Sequence, residues 1–545
     1  MKEGFRQSMA WLHTWSGLLV GWVLFAVFLT GTAAYLKPEI SAWMMPELRT
    51  PAPETPAEQA ATAQALMDHM TRTAPRSPAW FISLPEAREP WANVFWRDPG
   101  AGGRGFRQAV LDPRSGEPVA ARGTRGGEFF YRFHFQLHYM NVPVARWIVS
   151  FCAMFMLVAI VSGIVTHKRI FADFFTFRPG KGHRSWLDGH AVAAVLALPY
   201  HLMITYTGLV TLMFMTMPWG GEAAYRGDRA AFNTEVFGTA RPARPAGVPA
   251  PLVPVGPLLE QASRHWNGGT AGRIQVQNPG DANSTIQLTR SDSERLSFNP
   301  QIMVFSGATG ALLSTAGDDS RPAAETRGVM YGLHVGRFGG PLLRALFLLS
   351  GLAGTAMVAT GCVLWAVKTR QQAAKRGRVG FGVRLVEHLN VAAIAGLPVA
   401  MATMFWANRL LPLDLPARDE WEIHGFFIAW GLCLLHPLLR RGRRAWVEQF
   451  AAGALLFGLL PLLNALTTTT HLGVTLPAGD WGRAGFDLGL LAIGLALAAI
   501  ARIVARHRPG AAPRAKPGAG PGSRPGAKPD RASQPARHGE PVAAE

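Results

Sequence analysis

Eight long apolar segments constrain the fold of this chain more than any other feature of its sequence. A helix needs about 20 apolar residues to cross the hydrocarbon core of a bilayer, and 49% of this chain is hydrophobic while 16% is charged. The sequence therefore predicts a polytopic α-helical membrane protein with eight transmembrane helices. These predicted spans are 12–36, 145–167, 188–217, 341–367, 383–411, 421–439, 446–467 and 483–505.

The net charge of +19 follows the topology of the predicted spans. Basic residues cluster in alternate connections, whereas 468–482 has none and 412–420 only Arg418. This is the positive-inside pattern, and it predicts a multi-pass membrane protein with both termini cytoplasmic. It also argues against a nucleic-acid partner and leaves the lipid bilayer as the surrounding phase. The clustered residues are Lys168, Arg169, Arg178, Lys181, Arg184, Lys368, Arg370, Lys375, Arg376, Arg378, Arg384, Arg440, Arg441, Arg443 and Arg444.

Two polar stretches, 37–144 and 218–340, separate pairs of spans on the opposite side of the membrane. Each has a helical pattern (near 58–73 and 255–266) followed by strand-like runs at 79–84, 91–96 and 107–120, or at 272–277, 284–289 and 303–314. In the first stretch, Asp112-Pro113-Arg114-Ser115-Gly116 is a turn, because proline fixes φ and glycine accepts positive φ. We therefore expect two small α+β modules on the extracytoplasmic side.

The membrane segments that flank the two modules are duplicated. Gly31 follows His13 by 18 positions, and Gly208 follows His190 by the same 18. Leu137-His138 and Leu333-His334 precede the second and fourth spans, which end in late glycines, Gly163 and Gly361. Residues 1–168 and 188–368 are thus predicted to be two copies of span, module and span. Copies with the same orientation are related by a pseudo-twofold axis along the membrane normal.

The rest of the chain does not share this repeat. Residues 383–505 are predicted to form four further helices, and the Pro/Gly/Ala/Arg-rich tail 506–545 a disordered cytoplasmic segment. The remaining boundaries are 1–36 for the first span, 37–144 and 218–340 for the modules, 145–217 for spans two and three with their basic loop, and 341–367 for span four. The three cysteines form no metal-binding or disulfide pattern.

Histidines within and beside the spans are the candidate functional residues, because an ionisable group at membrane depth has a functional role by default. His190 and His201 are 11 positions apart. On a straight helix their side chains would lie on the same face, about 20° apart around the helix axis. Haem at two depths needs two axial ligands at each, from facing helices. The repeat pairs His13 with His190 at the cytoplasmic level and His138 with His334 at the outer level.

Three other histidines keep alternative roles. His201 either ligates the outer haem with His138 or His334, or lines the path between the haems. His167 is an alternative inner partner, whereas interfacial packing is favoured for both His134 and His167. The sequence has no acid–base pair, nucleophile motif or nucleotide fingerprint, so no catalytic residue is assigned.

Three stretches resemble the PepSY-associated transmembrane proteins, iron-regulated inner-membrane proteins that include siderophore-iron reductases. These stretches are LHTWSGLLVGWVLFAVFLTGTAAYLKPEI at 12–40, SGIVTHKRIFADFFTFRPGKGHRSWLDGHAVAAVLALPYHLMITYTGLV at 162–210, and the LDPRSGEPV turn. The resemblance covers about 1–370 and implies two PepSY-like periplasmic modules. It also implies two b-type haems held by the matching histidines among His13, His134, His138, His167, His190, His201 and His334.

The expected function is a di-haem oxidoreductase that passes electrons across the membrane to siderophore-bound ferric iron. Its partners would be the ferric siderophore and a membrane electron donor such as a quinol. The alternative is a non-enzymatic transport or accessory protein of metal uptake. The four extra helices depart from the four-span members, and their role as electron input, partner docking or neither stays open.

Overall fold

The computed structural model describes residues 4–98, 105–167, 178, 183–237, 244–318 and 322–507. The predicted disordered tail and most of the basic loop after residue 167 lie outside these ranges. The helices of the first half are α1 Phe5–Ala34, α2 Lys37–Met44, α3 Pro56–Thr73, α4 Gly126–Gln136, α5 Val142–Thr166, α6 His183–Leu196, α7 Leu198–Thr211, α8 Met213–Thr216, α9 Trp219–Tyr225, α10 Arg229–Phe237 and α11 Gly256–His265. Those of the second half are α12 Pro322–Val335, α13 Pro341–Lys375, α14 Phe381–Asn390, a π-helical turn Val391–Ala395, α15 Gly396–Leu410, α16 Arg418–Leu439, α17 Arg443–Thr467, α18 Leu472–Thr475 and α19 Trp481–Arg506.

Seven helical segments in the described residues are long and apolar enough to cross a membrane, and a bent pair makes an eighth span. This confirms the predicted class, a polytopic α-helical membrane protein. The segments are α1, α5, α13, the continuous 381–410, α16, α17 and α19, and the bent pair is α6 with α7.

The third span is broken, contrary to the straight helix assumed from its sequence. The segments Arg184–Leu196 and Leu198–Thr211 meet at 67°. Pro199 lies in the first turn of α7. A proline lacks the N–H of the helical ladder, and its ring clashes with the carbonyl four residues earlier. His190 and His201 therefore lie on two differently directed helices, and the prediction that they share one helix face is wrong.

The two modules share a single antiparallel sheet of seven strands. Its strands are β1 Ala79–Ser83, β2 Ala92–Arg97, β3 Phe106–Leu111, β4 Ala271–Gln277, β5 Thr285–Arg290, β6 Ile302–Ser306 and β7 Leu312–Ala316, in the order β3-β2-β1-β4-β5-β6-β7. Strand β1 of the first module pairs with β4 of the second, with Phe81 opposite Gln275 at the centre. Each module thus covers one edge of the other, which removes two exposed strand edges.

Helices α3 and α11 pack on one face of this sheet. Leu66 and Met70 of α3 and Leu258 of α11 are buried against Trp80 and Ile274 of the central strands. The alternation of apolar residues along each strand directs one set of side chains to this core. Trp80 of β1 and Trp91, just before β2, are both buried.

The helices after α13 form a bundle, here called the C-terminal bundle (residues 381–506), that packs against the first repeat. Inside it, the π-helical turn interrupts the span between α14 and α15. Asn390, just before this turn, accepts a hydrogen bond from Trp22 Nε1 at 2.8 Å and donates to the Cys362 carbonyl at 3.1 Å. The bundle is therefore joined to both α1 and α13.

Candidate functional site: two histidine pairs

The first histidine pair consists of His13 on α1 and His190 on α6, whose ring centres lie 6.4 Å apart. His13 Nδ1 lies 2.7 Å from the carbonyl oxygen of Ala159 on α5. His190 Nδ1 lies 3.0 Å from the carbonyl oxygen of Met357 on α13 and 3.1 Å from Thr360 Oγ1. Each ring is thus anchored to the second span of its own repeat.

The second histidine pair consists of His134 on α4 and His334 on α12, with ring centres 6.0 Å apart. His134 Nδ1 lies 2.7 Å from the carbonyl oxygen of Val27 on α1. His334 Nδ1 lies 3.1 Å from Thr207 Oγ1 on α7 and also bonds to the Ile204 backbone. The histidines of this pair precede the second span of each repeat and contact the first span.

Each of these four rings lies against a glycine of the neighbouring helix. A Cβ added at the glycine beside His134 would lie 2.4 Å from Nδ1 of that ring. At the other three glycines, an added Cβ would lie 3.0–3.3 Å from Cε1 of the ring that faces it. Each ring also hydrogen-bonds to the backbone carbonyl four residues before its glycine, which is one helical turn away. The glycine therefore lets the imidazole reach the backbone of the facing helix. The contacts are Gly163 with His13, Gly361 with His190, Gly31 with His134 and Gly208 with His334.

These hydrogen bonds fix the tautomer of the rings. A carbonyl oxygen can only accept, so Nδ1 must carry the proton and donate it. The remaining nitrogen, Nε2, then keeps its lone pair in the neutral ring. An Nδ1–H donated to a backbone carbonyl is the usual support for a histidine that binds a metal through Nε2.

The spacing of each pair would let both imidazoles hold one metal ion. With metal–nitrogen bonds of about 2 Å, two imidazoles that hold one ion can have ring centres about 6 Å apart. The measured separations are 6.4 and 6.0 Å. No group of three or more histidine, cysteine, aspartate or glutamate residues in the described ranges has the geometry of a metal cage. Two nitrogen ligands per site suit a metal whose other ligands come from a macrocycle, as in haem.

The part of the chain that carries these histidines matches a known family. A family model described as the PepSY-associated TM region matches residues 10–368, which include both repeats and all four paired histidines. This chain is a member of the PepSY-associated TM family. No curated protein matches it. The family match stops before the C-terminal bundle.

Within the PepSY-associated region, the predicted pairing of His13 with His190 is the one that the structure brings together. The structure does not bring His138 together with His334, because His134 occupies the position opposite His334. The Leu-His motif at 137 and 333 suggested the wrong alignment. A better signal was present, since Tyr131 and Tyr331 each precede the paired histidine by three residues, and their side chains hydrogen-bond to each other.

The three other candidate histidines lie away from both pairs. The His138 ring stacks on Phe427 of α16 with centres 5.5 Å apart. His201 is fully buried and its Nε2 lies 3.3 Å from the Ser350 carbonyl oxygen. His167 ends α5 through its backbone N–H, and its Nδ1 has no hydrogen-bond partner in the described part of the chain. None of the three has a ring contact with another histidine among the described residues.

Proposed function

We propose that this protein is a di-haem oxidoreductase of the bacterial inner membrane that reduces siderophore-bound ferric iron on the periplasmic side. One b-type haem is held by His13 and His190 and the other by His134 and His334. The observation that carries this proposal is the repeated geometry: two facing imidazoles at each site, every Nδ1 engaged, and every ring seated on a glycine.

The separation of the two sites supports the proposal of electron transfer across the membrane. Along α1, His13 belongs to the first site and Gly31 contacts the second. The 18 intervening positions correspond to about 27 Å of helix, close to the hydrocarbon thickness of a bilayer. One site would therefore lie near each surface, and the positive-inside pattern supports the cytoplasmic level for the first.

The protein residues and the cofactor would have different roles in this function. When bound, the haems supply one-electron transfer. The chain fixes the tautomer of each imidazole, holds the facing rings apart, and packs the space between the levels with buried apolar side chains. Reduction of ferric iron weakens its binding to hard-oxygen chelators, so a siderophore would release it. A membrane donor such as a quinol, and the ferric siderophore, are the proposed partners.

The absorption spectrum of the purified full chain tests the proposal. We expect two b-type haems per chain, and one after either His190→Ala or His134→Ala. His388→Ala on α14 is the matched control and should keep both. Reduced protein in vesicles should then reduce ferric hydroxamate or catecholate chelates. A wild-type protein without a reducible haem band would contradict the proposal and favour the non-enzymatic transport or accessory role.

A further inference from the structure

Helix α4, which carries His134, contacts the C-terminal bundle through a cluster of aromatic rings. Phe129, Phe130 and Phe133 of α4 are at most 4% exposed. The Phe129 ring centre lies 5.1 Å from that of Phe426, and the Phe133 ring centre lies 5.9 Å from it. Aromatic pairs at such distances contribute about 0.5–1.5 kcal/mol beyond their buried area. One face of α4 is therefore fixed by α16.

The chain immediately before α4 is held by a buried polar network of the same bundle. Arg418 Nη1 donates to the Gly123 carbonyl at 2.9 Å and to Glu422 Oε1 at 2.5 Å. Thr124 Oγ1 donates to the other oxygen of Glu422 at 2.5 Å. Arg418 and Glu422 are at most 3% exposed. Buried ion pairs are costly to break because one charge is left without its partner.

Helix α2 provides a second route from the bundle to α4. Arg409 stacks over the Trp43 ring at 3.7 Å, and Trp43 Nε1 donates to Asp487 at 2.8 Å. Helix α2 in turn contacts the start of α4, since a Cβ on Gly127 would lie 2.3 Å from the Lys37 carbonyl oxygen. The start of α4 is thus held from two directions.

Helix α12, the counterpart of α4 in the second repeat, lacks this support. When His134 is aligned with His334, the three buried phenylalanines correspond to Val329, Met330 and Leu333. These three are only partly buried. Helix α12 packs instead on a loop of its own module, with Phe298 N–H donating to the Gly328 carbonyl at 2.9 Å. The second histidine pair therefore has His134 on a helix that the C-terminal bundle supports and His334 on a helix without that support.

From these contacts we propose that the C-terminal bundle positions His134, so that the second site depends on the brace formed by Arg418, Glu422 and Phe426. This inference rests on the proposed function for its consequence in haem binding. It assigns the four extra helices a structural task inside the chain. Arg418, Glu422 and Phe426 are positioning residues, since they act through α4.

Hydrogen exchange of the full-length chain tests the brace without relying on haem. Local opening free energy sets amide exchange, so α4 in wild type should exchange at least tenfold more slowly than α12. We expect Phe426→Ala to accelerate exchange in 126–136 at least tenfold and to leave 322–335 unchanged. Glu422→Gln, which weakens the polar arm, should act in the same direction. Phe450→Leu is the control, because Phe450 is buried in the same bundle and its ring stacks on Trp446.

The haem spectrum supplies the second readout. Phe426→Ala and Glu422→Gln should shift the low-spin EPR signal of the second-site haem and lower its retention at least threefold, with the first-site signal unchanged. If haem is bound and neither variant changes α4 exchange or the second-site signal relative to Phe450→Leu, the positioning role is wrong. If wild type lacks haem but α4 exchange responds as stated, the proposed function fails and the positioning role is supported.

Discussion

Gly31 and the His134 ring are in such close contact that a Cβ added at Gly31 would lie 2.4 Å from His134 Nδ1. Gly31→Ala should therefore displace the imidazole and break its hydrogen bond to Val27. Overpacking of this kind costs about 1–3 kcal/mol. We expect loss of the second-site haem with the first retained, measured as haem per chain. Gly17→Ala on the same helix, where a Cβ meets nothing within 4 Å, should keep both; equal loss in the two variants would contradict the prediction.

His201 occupies the position that Leu24 has in the first repeat, given the common spacing from His13 and His190. Its ring contacts Phe28 and its Nε2 faces a backbone carbonyl. His201→Leu should therefore keep both haems, and the free energy of unfolding should change by about 1 kcal/mol, the value of one hydrogen bond. Haem content and thermal unfolding measure the two effects. A variant with only one haem would identify His201 as a ligand.

His138 should be dispensable for haem binding, because its ring stacks on Phe427 and not on a histidine. His138→Phe keeps an aromatic ring at this interface and is expected to keep both haems. His134→Phe, four residues earlier, should lose one. The reverse result would restore the pairing that the sequence suggested.

His69 on α3 makes the paired modules sensitive to acid. Burial lowers its pKa from the usual value of about 6.5, although Glu117 partly opposes this. The unfolded chain then binds more protons than the folded one between the two pKa values, so stability falls as the pH drops below 6.5. We expect His69→Gln to flatten the pH dependence of module unfolding between pH 7 and 5. An unchanged slope, measured by exchange of the Ala63–Met70 amides, would exclude this role.

Hydropathy and alternation predicted the spans and most of the strands, because those features depend on local sequence. The repeated spacing of histidines and glycines predicted the duplication. They did not predict that β1 and β4 pair, since that contact joins residues almost 200 positions apart. The bend before Pro199 could be suspected from the proline, but its 67° angle depends on packing. His134 and His138 both lie near the start of α5, and the shared Leu-His motif favoured His138, although the spacing of Tyr131 and Tyr331 favours His134.

The antiparallel contact of β1 with β4 is self-complementary about Phe81 and Gln275: Trp80 faces Val276 and Ile82 faces Ile274. Such a contact is what two identical subunits make across a twofold axis. Each histidine pair likewise takes one residue from each repeat. Each of the two repeats is therefore equivalent to one subunit of a covalently joined dimer. Neither half expressed alone can complete either site, whereas two copies of one half have the symmetry to complete both.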